Sequence, residues 1–304
     1  IANALIGAVE KHNKRHPDDP VVYLNWAAVT PAFTNENCMF WHFRFDAHVD
    51  MKMAALVTHI SGDKNVKKIY LINQNYAFGQ SVSEAAKRLL KERMPGVEVV
   101  GDDLFPPFGK VKDFSPYITK IKASGADTVI TGNWGLDLDR LLKAAFDAGL
   151  EAQWLTYYGG ATGGPGAIGK RGIGKVKQVN EWHNNHLVGN TEMVANMYKE
   201  KYGNELTFYR LVATLEMLAT AADKAGNTKI VDIAKALEGM EWDSGYGKVM
   251  MRASDHQLQS PLVISVLTDD VKYDMDGAGV AFKTVQVIDT KDTTQPTTCK
   301  MERP

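Results

Sequence analysis

The sequence predicts an α/β protein with mainly parallel sheets flanked by helices, divided between two domains. Apolar runs of β-preferring residues begin near Ile69, Val97, Thr128 and Trp154, and a helix-sized segment follows each. This alternation is typical of parallel sheets with right-handed crossovers. After residue 180 the helices follow one another without a strand, which indicates that the chain enters a second domain. A length of 304 residues also favours two cores.

The chain opens on a predicted helix from Ile1 to His16, which ends at the turn cluster Pro17-Asp18-Asp19-Pro20. Residues 21–24 follow as a strand, and residues 25–37 form a loop at its carboxyl end. The apolar positions from Val49 to Ile60 predict the next helix.

The segment from Lys67 to Leu90 predicts a complete unit of buried strand, loop and amphipathic helix. Its strand is the apolar run 69–72, and its helix presents an apolar stripe from Val82 to Leu90. The loop between them, residues 73–79, therefore lies at the carboxyl end of a parallel strand. Ligands bind at this edge in open α/β sheets.

The later units follow the same pattern. Ser115 is predicted to cap a helix with proline at its first position, and a second helix is predicted from Leu138 to Ala148. The glycine-rich segment 156–174 follows a strand, which favours close approach of the backbone to another group.

The remaining sequence predicts three helices and three strands. The helices are Glu192–Tyr202, Thr207–Ala225 and Ile230–Glu238, the last capped by Thr228, and the strands are Lys175–Asn180, Pro261–Thr268 and Val280–Asp289. The last two strands are joined by a polar turn, and the tail from residue 290 is polar and extended.

Composition excludes several classes of partner. With 35 basic and 36 acidic side chains, a net charge of −1 gives no reason to expect binding to nucleic acid or an anionic membrane. No apolar run approaches the roughly 20 residues of a membrane helix. Cys38 and Cys299 are either two buried thiols or one long-range disulfide, and a disulfide would suit an oxidising compartment.

Several motifs suggest chemistry that their context does not support. Gly164-Pro165-Gly166-Ala167-Ile168-Gly169 has the GxGxxG spacing, but too few residues precede the next strand for the helix that holds a pyrophosphate. The pair His183 and His186 lacks a third metal ligand and is interpreted as a solvated surface pair. Asp274-x-Asp276-Gly277 is interpreted as a hairpin turn, and Asp137 as a residue matched to a helix dipole. No nucleophile motif indicates an enzyme.

Aromatic and amide side chains are enriched in the loops that follow the predicted strands. They are Trp26, Asn75, Tyr76, Phe78, Asn133, Trp134, Tyr157 and Tyr158. Core packing explains any single one of them, but their shared position after strands favours a small-molecule pocket.

Three blocks of the sequence resemble the periplasmic solute-binding proteins of branched-chain-amino-acid-type ABC transporters, the leucine-binding-protein family. The blocks are residues 23–34 with Cys38 and Phe43-Arg44, KKIYLINQNYAFGQS from Lys67, and GADTVITGNWGLDLDRLLKAAFDAGL from Gly125. Family members begin with about three further βα units, so the resemblance implies a sequence that is N-terminally incomplete or separately processed.

The resemblance implies the type I periplasmic binding fold, with two lobes and three hinge crossings. Residues 1–44 and 182–244 would form the first lobe, and residues 45–181 and 245–304 the second. A ligand in the cleft would stabilise the closed form, which a membrane permease would recognise. The resemblance further implies a monomeric, periplasmic protein with no enzymatic activity, cofactor or metal, and a Cys38–Cys299 bridge is one option.

The family pattern also assigns ligand-binding positions. Ala27, Ala28 and Thr30 match the turn that binds a ligand carboxylate through backbone N–H and hydroxyl groups. The aromatic and loop contacts are matched by Tyr76, Phe78, Asn133, Trp134 and either Phe208 or Tyr209. Tyr158 stands where amino-acid binders place an acid for the α-ammonium.

Tyr158 decides which class of ligand we expect, because burying a ligand ammonium without a carboxylate partner costs several kcal/mol. We therefore expect an aromatic or hydrophobic carboxylate or amide without a required amino group. Branched-chain or other amino acids remain the alternative if Glu151 or Glu181 replaces the missing acid. A second alternative is a ligand-binding sensor domain with the same fold.

Overall fold

A computed structural model describes residues 1–304 and contains helices, strands and two short 3₁₀ turns. The helices are α1 (Ala2–Arg15), α2 (Val49–Ile60), α3 (Ala77–Arg93), α4 (Ser115–Ser124), α5 (Gly135–Asp147), α6 (Gly164–Ile168), α7 (Thr191–Tyr202), α8 (Arg210–Ala225), α9 (Ile230–Leu237) and α10 (Thr290–Thr293). The strands are β1 (Tyr23–Asn25), β2 (His42–Arg44), β3 (Lys68–Gln74), β4 (Glu98–Phe105), β5 (Thr128–Thr131), β6 (Gln153–Thr156), β7 (Val176–Asn180), β8 (Glu241–Asp243), β9 (Lys248–Met251), β10 (Leu258–Gln259), β11 (Leu262–Thr268) and β12 (Ala281–Ile288).

Seven strands form the central sheet, in the order β12-β11-β7-β6-β5-β3-β4. The strands from β3 to β7 run parallel, while β11 is antiparallel to both β7 and β12. The predicted α/β alternation and mainly parallel sheet are therefore confirmed. The antiparallel edge consists of the two C-terminal strands that the sequence joins by a polar turn.

β3 shows why the central strands contain continuous apolar runs. Ile69 and Leu71 face the core cluster that α2 and α3 cover, whereas Tyr70 and Ile72 face the cluster that α4 and α5 cover. Because successive side chains of a strand point to opposite faces, a strand with helices on both sides has apolar residues at consecutive positions. We call this sheet and its helices the large lobe.

The small lobe is built around a separate core. Its cluster joins Phe40, Phe43 and Trp182 to the apolar faces of α8 and α9. The small lobe contains the parallel pair β1–β2 and the antiparallel sheet β10-β9-β8. The sequence does not predict the antiparallel sheet, because its two- to four-residue strands carry no alternation.

The chain crosses between the two cores at three places. The crossings lie between Phe45 and Ala47, between Val179 and Trp182, and between Leu258 and Leu262, as the membership of the core clusters shows. The expected return at residue 245 is therefore too early. The physical reason is that β9 and β10 pack on the small-lobe core before the chain leaves it.

The C-terminal tail returns to the small lobe after α10. Thr297 Oγ1 donates to the Thr34 carbonyl at 2.7 Å, and Arg303 donates to the Ala253 carbonyl at 2.6 Å. A disulfide joins Cys299 to Cys38 over a sequence separation of 261. The expected assignment of the whole segment 245–304 to the second lobe is wrong for these residues too, because they are fixed to the small lobe.

Three local interpretations also need correction. The N-cap of α9 is Lys229 rather than Thr228, and the Asn227 side chain accepts the Lys229 N–H at 2.8 Å. Ser115 is the first residue of α4, and Asp113 accepts its N–H at 2.8 Å. In both cases the acceptor lies two residues before the N–H it binds, as in an Asx turn.

The predicted surface pair His183 and His186 is instead buried, with exposed fractions of 8% and 7%. Both rings lie within hydrogen-bond distance of Thr284 Oγ1, at 2.9 Å and 3.0 Å. Burial lowers the pKa of both imidazoles, to about 3 for His183. The strand β12 therefore encloses a pair that the polar sequence around it suggested was solvated.

The glycine-rich segment has no free anion-binding turn. Asp276 in the polar turn accepts the N–H groups of Gly163 and Gly166 at 3.0 Å and 2.9 Å. α6 has five residues, and a carboxylate already occupies the backbone donors around its start.

No helix of the structure has the length and apolarity needed to cross a membrane.

Candidate functional site

A cavity of about 590 Å³ opens between the lobes. Its wall is mostly apolar and comes from the start of α1, the turn after β1 and the loops after β3, β5 and β6. The lining residues are Ile1, Ala2, Asn3, Trp26, Ala27, Ala28, Val29, Thr30, Phe33, Tyr76, Ala77, Phe78, Trp134, Gly135, Tyr158, Ala161, Phe208 and Arg210. The cavity thus lies at the carboxyl ends of parallel strands, the edge that the sequence indicates.

Most of the residues predicted to contact a ligand line this cavity. They are Trp26, Ala27, Ala28, Thr30, Tyr76, Phe78, Trp134, Tyr158 and Phe208. They come from five separate segments, and the fold brings them together because parallel strands end at one edge.

Four predicted residues do not line the cavity. Tyr157 is 1% exposed and donates its hydroxyl to the Val49 carbonyl, and Tyr209 is fully buried in the small-lobe core. Asn133 is 1% exposed and bonds to the Ile72 carbonyl, while the Asn75 side chain accepts from Gln80. These side chains contact other groups of the protein, and their contact with a ligand stays a prediction.

Three aromatic rings pack together on the large-lobe side, and two of them, Tyr76 and Trp134, line the cavity. Trp134 Nε1 donates to the Tyr76 hydroxyl at 3.0 Å, and the Phe108 ring centroid lies 5.2 Å from Tyr76 and 5.9 Å from Trp134. We call Tyr76, Phe108 and Trp134 the aromatic rim. Phe108 is absent from the predicted set, although Pro106-Pro107-Phe108-Gly109 signals a turn that presents an aromatic side chain.

Phe108 adopts the left-handed conformation, with φ of 61°, which is unfavourable for a bulky side chain. Asp137 maintains the turn, because its buried carboxylate accepts the Gly109 N–H at 2.9 Å and the Gln74 side chain at 2.6 Å. The interpretation of Asp137 as a residue matched to a helix dipole is therefore incomplete. Asp137 is a buried anchor for the loop that carries Phe108.

The turn after β1 supplies fewer free donors than the resemblance implies. Asn25 Oδ1 accepts the N–H groups of Ala27 and Ala28 at 3.2 Å and 2.8 Å. The N–H and hydroxyl of Thr30 make no hydrogen bond within the protein. Thr30 is therefore the member of this turn that retains donors for a ligand.

Arg44 lies directly behind Thr30 and is completely buried. Its guanidinium donates to the Thr30 carbonyl and to Gln257 Oε1, both at 2.6 Å, and to the Thr34 hydroxyl. Arg44 forms no ion pair, unlike the other buried basic residues. Burial lowers the pKa of Arg44 to about 9, so the side chain remains a cation at neutral pH.

Four further buried charges lie where the chain crosses between lobes. Lys52 Nζ is 2.8 Å from Asp46, and Arg210 pairs with Glu181 at 2.6 Å and with Asp46 at 3.3 Å. Burial alone would lower the pKa of Arg210, but Asp46 and Glu181 outweigh it and raise the pKa. These two acids and two bases pair with one another, whereas Arg44 makes no direct ion pair and feels Asp255, Asp46 and Asp50 only at longer range.

Arg210 connects this network to the cavity wall. Its guanidinium carbon lies 4.2 Å from the Phe208 ring centroid and 5.9 Å from that of Trp26, and Nε donates to the Trp26 carbonyl at 2.6 Å. Three of its five N–H groups are engaged, which leaves donors for a ligand. No group of three or more potential metal ligands occurs in the structure.

The position expected to carry an acid for an ammonium is occupied by Tyr158. Lys52 Nζ lies 5.1 Å from the Tyr158 ring centroid, and burial raises the pKa of its hydroxyl, which stays protonated. Of the two alternative acids, Glu151 is exposed and paired with Lys175, and Glu181 is paired with Arg210. No carboxylate lines the cavity.

A cleft between two lobes linked by several chain crossings, lined by loops at the carboxyl ends of parallel strands, is typical of proteins that bind a small molecule. The sequence profile described as "Periplasmic binding protein" matches residues 1–272. The chain therefore belongs to this family, whose members bind solutes and are not enzymes.

Individual relatives agree with this assignment. The chain is 32% identical to a Leu/Ile/Val-binding protein homolog 4 from Brucella abortus, covering all of this chain and 74% of that protein. It superposes with a TM-score of 0.92 on a closed leucine-, isoleucine-, valine-, threonine- and alanine-binding protein from Brucella ovis, at 29% identity, covering 100% of this chain and 79% of the other.

More distant structures share the fold. A solute-binding protein of an ABC transporter from Rhodopseudomonas palustris BisB5, in complex with 3,4-dihydroxybenzoic acid, matches with a TM-score of 0.78 and 16% identity, over 94% of this chain and 76% of that one. The type I periplasmic binding fold expected from the sequence is thus confirmed.

Proposed function

We propose that this protein is the periplasmic solute-binding component of an ABC importer and captures a small carboxylate with an apolar, preferably aromatic, body. The observation that carries this proposal is the pairing of a ring-lined cavity with Arg44, a completely buried cation without an acidic partner. A buried charge without a counterion costs several kcal/mol. A ligand carboxylate near Thr30 offsets that cost.

The donors in this part of the cavity suit a carboxylate. Thr30 offers its N–H and hydroxyl, and Arg210 has N–H groups that no protein atom accepts. Charge-assisted hydrogen bonds of this kind are about twice as strong as neutral ones. The rings of Trp26, Tyr76 and Trp134 surround the remaining space, and each stacked ring adds about 1 kcal/mol beyond burial.

The same geometry disfavours a required ammonium group. The cavity wall contains one charged side chain, the cation Arg210, and no carboxylate. Asp46 and Glu181 are already neutralised by Lys52 and Arg210. An α-ammonium in this cavity would lose its hydration without gaining a counterion.

Branched-chain amino acids are the second candidate. The relative at 32% identity is named a Leu/Ile/Val-binding protein homolog. In addition, Glu181 Oε2 lacks a hydrogen-bond partner, and the Asp46 oxygens contact Lys52 and Arg210 as ion pairs without a well-aligned hydrogen bond. A shift of the Tyr158 ring would let an ammonium reach them.

Matched ligand pairs separate the two candidates. Calorimetric titration compares leucine with 4-methylpentanoate and phenylalanine with 3-phenylpropanoate, since each pair differs only by the amino group. We expect the members without an amino group to bind at least tenfold more tightly, because they leave no ammonium unpaired. Tighter binding of leucine than of every deaminated acid would overturn the ligand proposal and favour the second candidate.

The importer role needs a separate measurement. In the source organism, deletion of the gene should abolish uptake of the tightest-binding carboxylate at submicromolar concentration. The control is a strain complemented with the intact gene. Unchanged uptake together with a lost transcriptional or chemotactic response to that carboxylate would instead favour the sensor domain.

A further inference from the structure

A second, much smaller chamber adjoins the apolar cavity. It has a volume of about 20 Å³ and shares four lining residues with the cavity: Tyr158, Ala161, Phe208 and Arg210. This volume is enough for one water-sized group. The chamber therefore borders the cavity at these four residues.

Two residues of β7 give the chamber its polarity. Gln178 and Asn180 both line it, and because they are two apart on a strand, their side chains lie on the same face. Gln178 is 2% exposed, and its Nε2 has no hydrogen-bond partner. Asn180 Oδ1 is also buried without a partner.

The orientation of the Gln178 amide is determined by its surroundings. Its Oε1 accepts the Gly160 N–H at 2.7 Å, so the nitrogen must be the atom left free. Gly160 permits this contact because a Cβ at that position would lie 2.4 Å from Gln178 Nε2. The chamber therefore contains one unmet donor, on Gln178, and one unmet acceptor, on Asn180.

Three other polar side chains around the chamber are already paired. His183 contacts Thr284 Oγ1 through Nε2 and accepts the Asn185 N–H through Nδ1. The hydroxyl of Thr207 is bonded to that of Thr162, and Lys52 is paired with Asp46. These three groups therefore need no hydrogen bond from a molecule in the chamber.

We propose that this chamber is a subsite for a single hydroxyl group of the ligand, so that the ligand is a hydroxylated apolar carboxylate. A hydroxyl oxygen accepts from Gln178 Nε2 while its proton is donated to Asn180 Oδ1. A carbonyl or carboxylate oxygen cannot donate to Asn180, an ammonium cannot accept from Gln178, and a methyl group satisfies neither. This inference rests on the proposed function and specifies which carboxylates the cavity prefers.

The test compares carboxylates that differ by one hydroxyl. The affinities of benzoate and of 2-, 3- and 4-hydroxybenzoate are measured by calorimetric titration, as are those of 4-methylpentanoate and its 2-hydroxy derivative. We expect one hydroxylated isomer to bind about tenfold more tightly than its parent, because two buried groups gain partners. Equal affinities for parents and all hydroxylated forms would overturn the subsite and identify the chamber as a site for a resident water only.

Two variants assign the preference to the chamber. Gln178→Met removes the donor, and Asn180→Leu removes the acceptor while keeping the Gly160–Gln178 hydrogen bond. In each, the preferred hydroxylated ligand should lose its tenfold advantage, while the parent carboxylate keeps its wild-type affinity. A matched control is Gln153→Met on the neighbouring strand β6, whose side chain bonds to Thr128 outside the chamber.

The outcomes distinguish this inference from the proposed function. If the parent carboxylates bind and the hydroxyl advantage survives both variants, the subsite is wrong and the carboxylate site stands. If none of the carboxylates binds, the proposed function and the subsite both fail. Thermal melting of each variant confirms that the protein tested is folded.

Discussion

The rim and the floor of the cavity are built from opposite chemistry. The aromatic rim is partly exposed, at 61% for Phe108 and 43% for Trp134, and carries no formal charge. What we call the floor is a layer of buried charges, of which Arg210 lines the cavity and the others lie outside its lining: Arg44, Asp46, Lys52, Glu181 and Arg210. Ring contacts tolerate ligands of varied shape, whereas ion pairs require fixed positions. The difference indicates that the rim selects the body of the ligand and the floor fixes its charge.

The floor is also the layer through which the lobes are connected. Asp46 and Glu181 lie at two of the chain crossings, and Arg210 of the small lobe pairs with both. A change in the floor should therefore affect stability and lobe position, whereas a change at the rim should affect ligand binding alone.

The largest effect is expected from Arg210→Leu. The substitution leaves Asp46 and Glu181 with Lys52 as their single buried cation, and losing one partner of a buried ion pair costs about 3–5 kcal/mol. Urea unfolding should show that loss. Trp134→Leu at the rim is the control and should change the free energy of unfolding by about 1 kcal/mol or less. An equally small loss for Arg210→Leu would remove the distinction between rim and floor.

The loss of folding stability at acid pH should also arise from buried polar groups. Burial holds the pKa of His183 at about 3, below its ordinary value of 6.5. Between these values the unfolded chain binds a proton that the folded protein does not. The free energy of unfolding therefore falls as the pH falls through this window, by up to about 1.4 kcal/mol per pH unit.

His183→Gln tests this dependence. The variant keeps a neutral donor toward Thr284 and should show a flatter decline in unfolding free energy between pH 6 and pH 4. His16→Gln, at an exposed position, is the control and should retain the wild-type slope. A wild-type slope in the His183 variant would show that other groups dominate the acid response.

Arg44→Met should weaken the binding of anionic ligands in particular. Removal of the buried cation behind Thr30 is expected to lower benzoate affinity by about tenfold or more, since hydrogen bonds and attraction to a charged group contribute about 1.5–3 kcal/mol. Benzamide has the same ring without the charge and should lose much less. If both ligands lost affinity equally, the role of Arg44 would be structural rather than electrostatic.

The smallest effects are expected at the rim. Tyr76→Ala removes one ring and should weaken binding of an aromatic carboxylate by about tenfold, corresponding to roughly 1.4 kcal/mol. Tyr76→Phe keeps the ring, losing only the hydroxyl that accepts from Trp134, and should cost about threefold. Neither variant should lower the melting temperature appreciably. Unchanged affinity in Tyr76→Ala would make this loop part of the scaffold.

The large lobe could be predicted from the sequence because its physical signals are local. β3 contains the unbroken apolar run from Ile69 to Ile72, and α3 carries one buried stripe, so the residues of each element indicate its environment. The small sheet β8–β10 could not be predicted, since its strands have two to four residues and Met250 or Gln259 gives no pattern. Its existence depends on packing against α8 and α9.

The cavity could be predicted in part for the same reason. Tyr76, Trp134 and Tyr158 follow strands directly, and parallel topology brings such residues together. Phe108 and Arg44 could not be identified this way. The position of Phe108 depends on a contact between Gly109 and Asp137, and the burial of Arg44 depends on Gln257, 213 residues away.

The disulfide between Cys38 and Cys299 would hold together a chain that a protease has cut. Because it spans 261 residues of the sequence, one proteolytic cut at any peptide bond between the two cysteines leaves a single covalent molecule. A cut in the exposed part of the glycine-rich segment would divide the large lobe without releasing either fragment. In an oxidising compartment, such nicked protein would migrate as an intact chain until a reductant separated it.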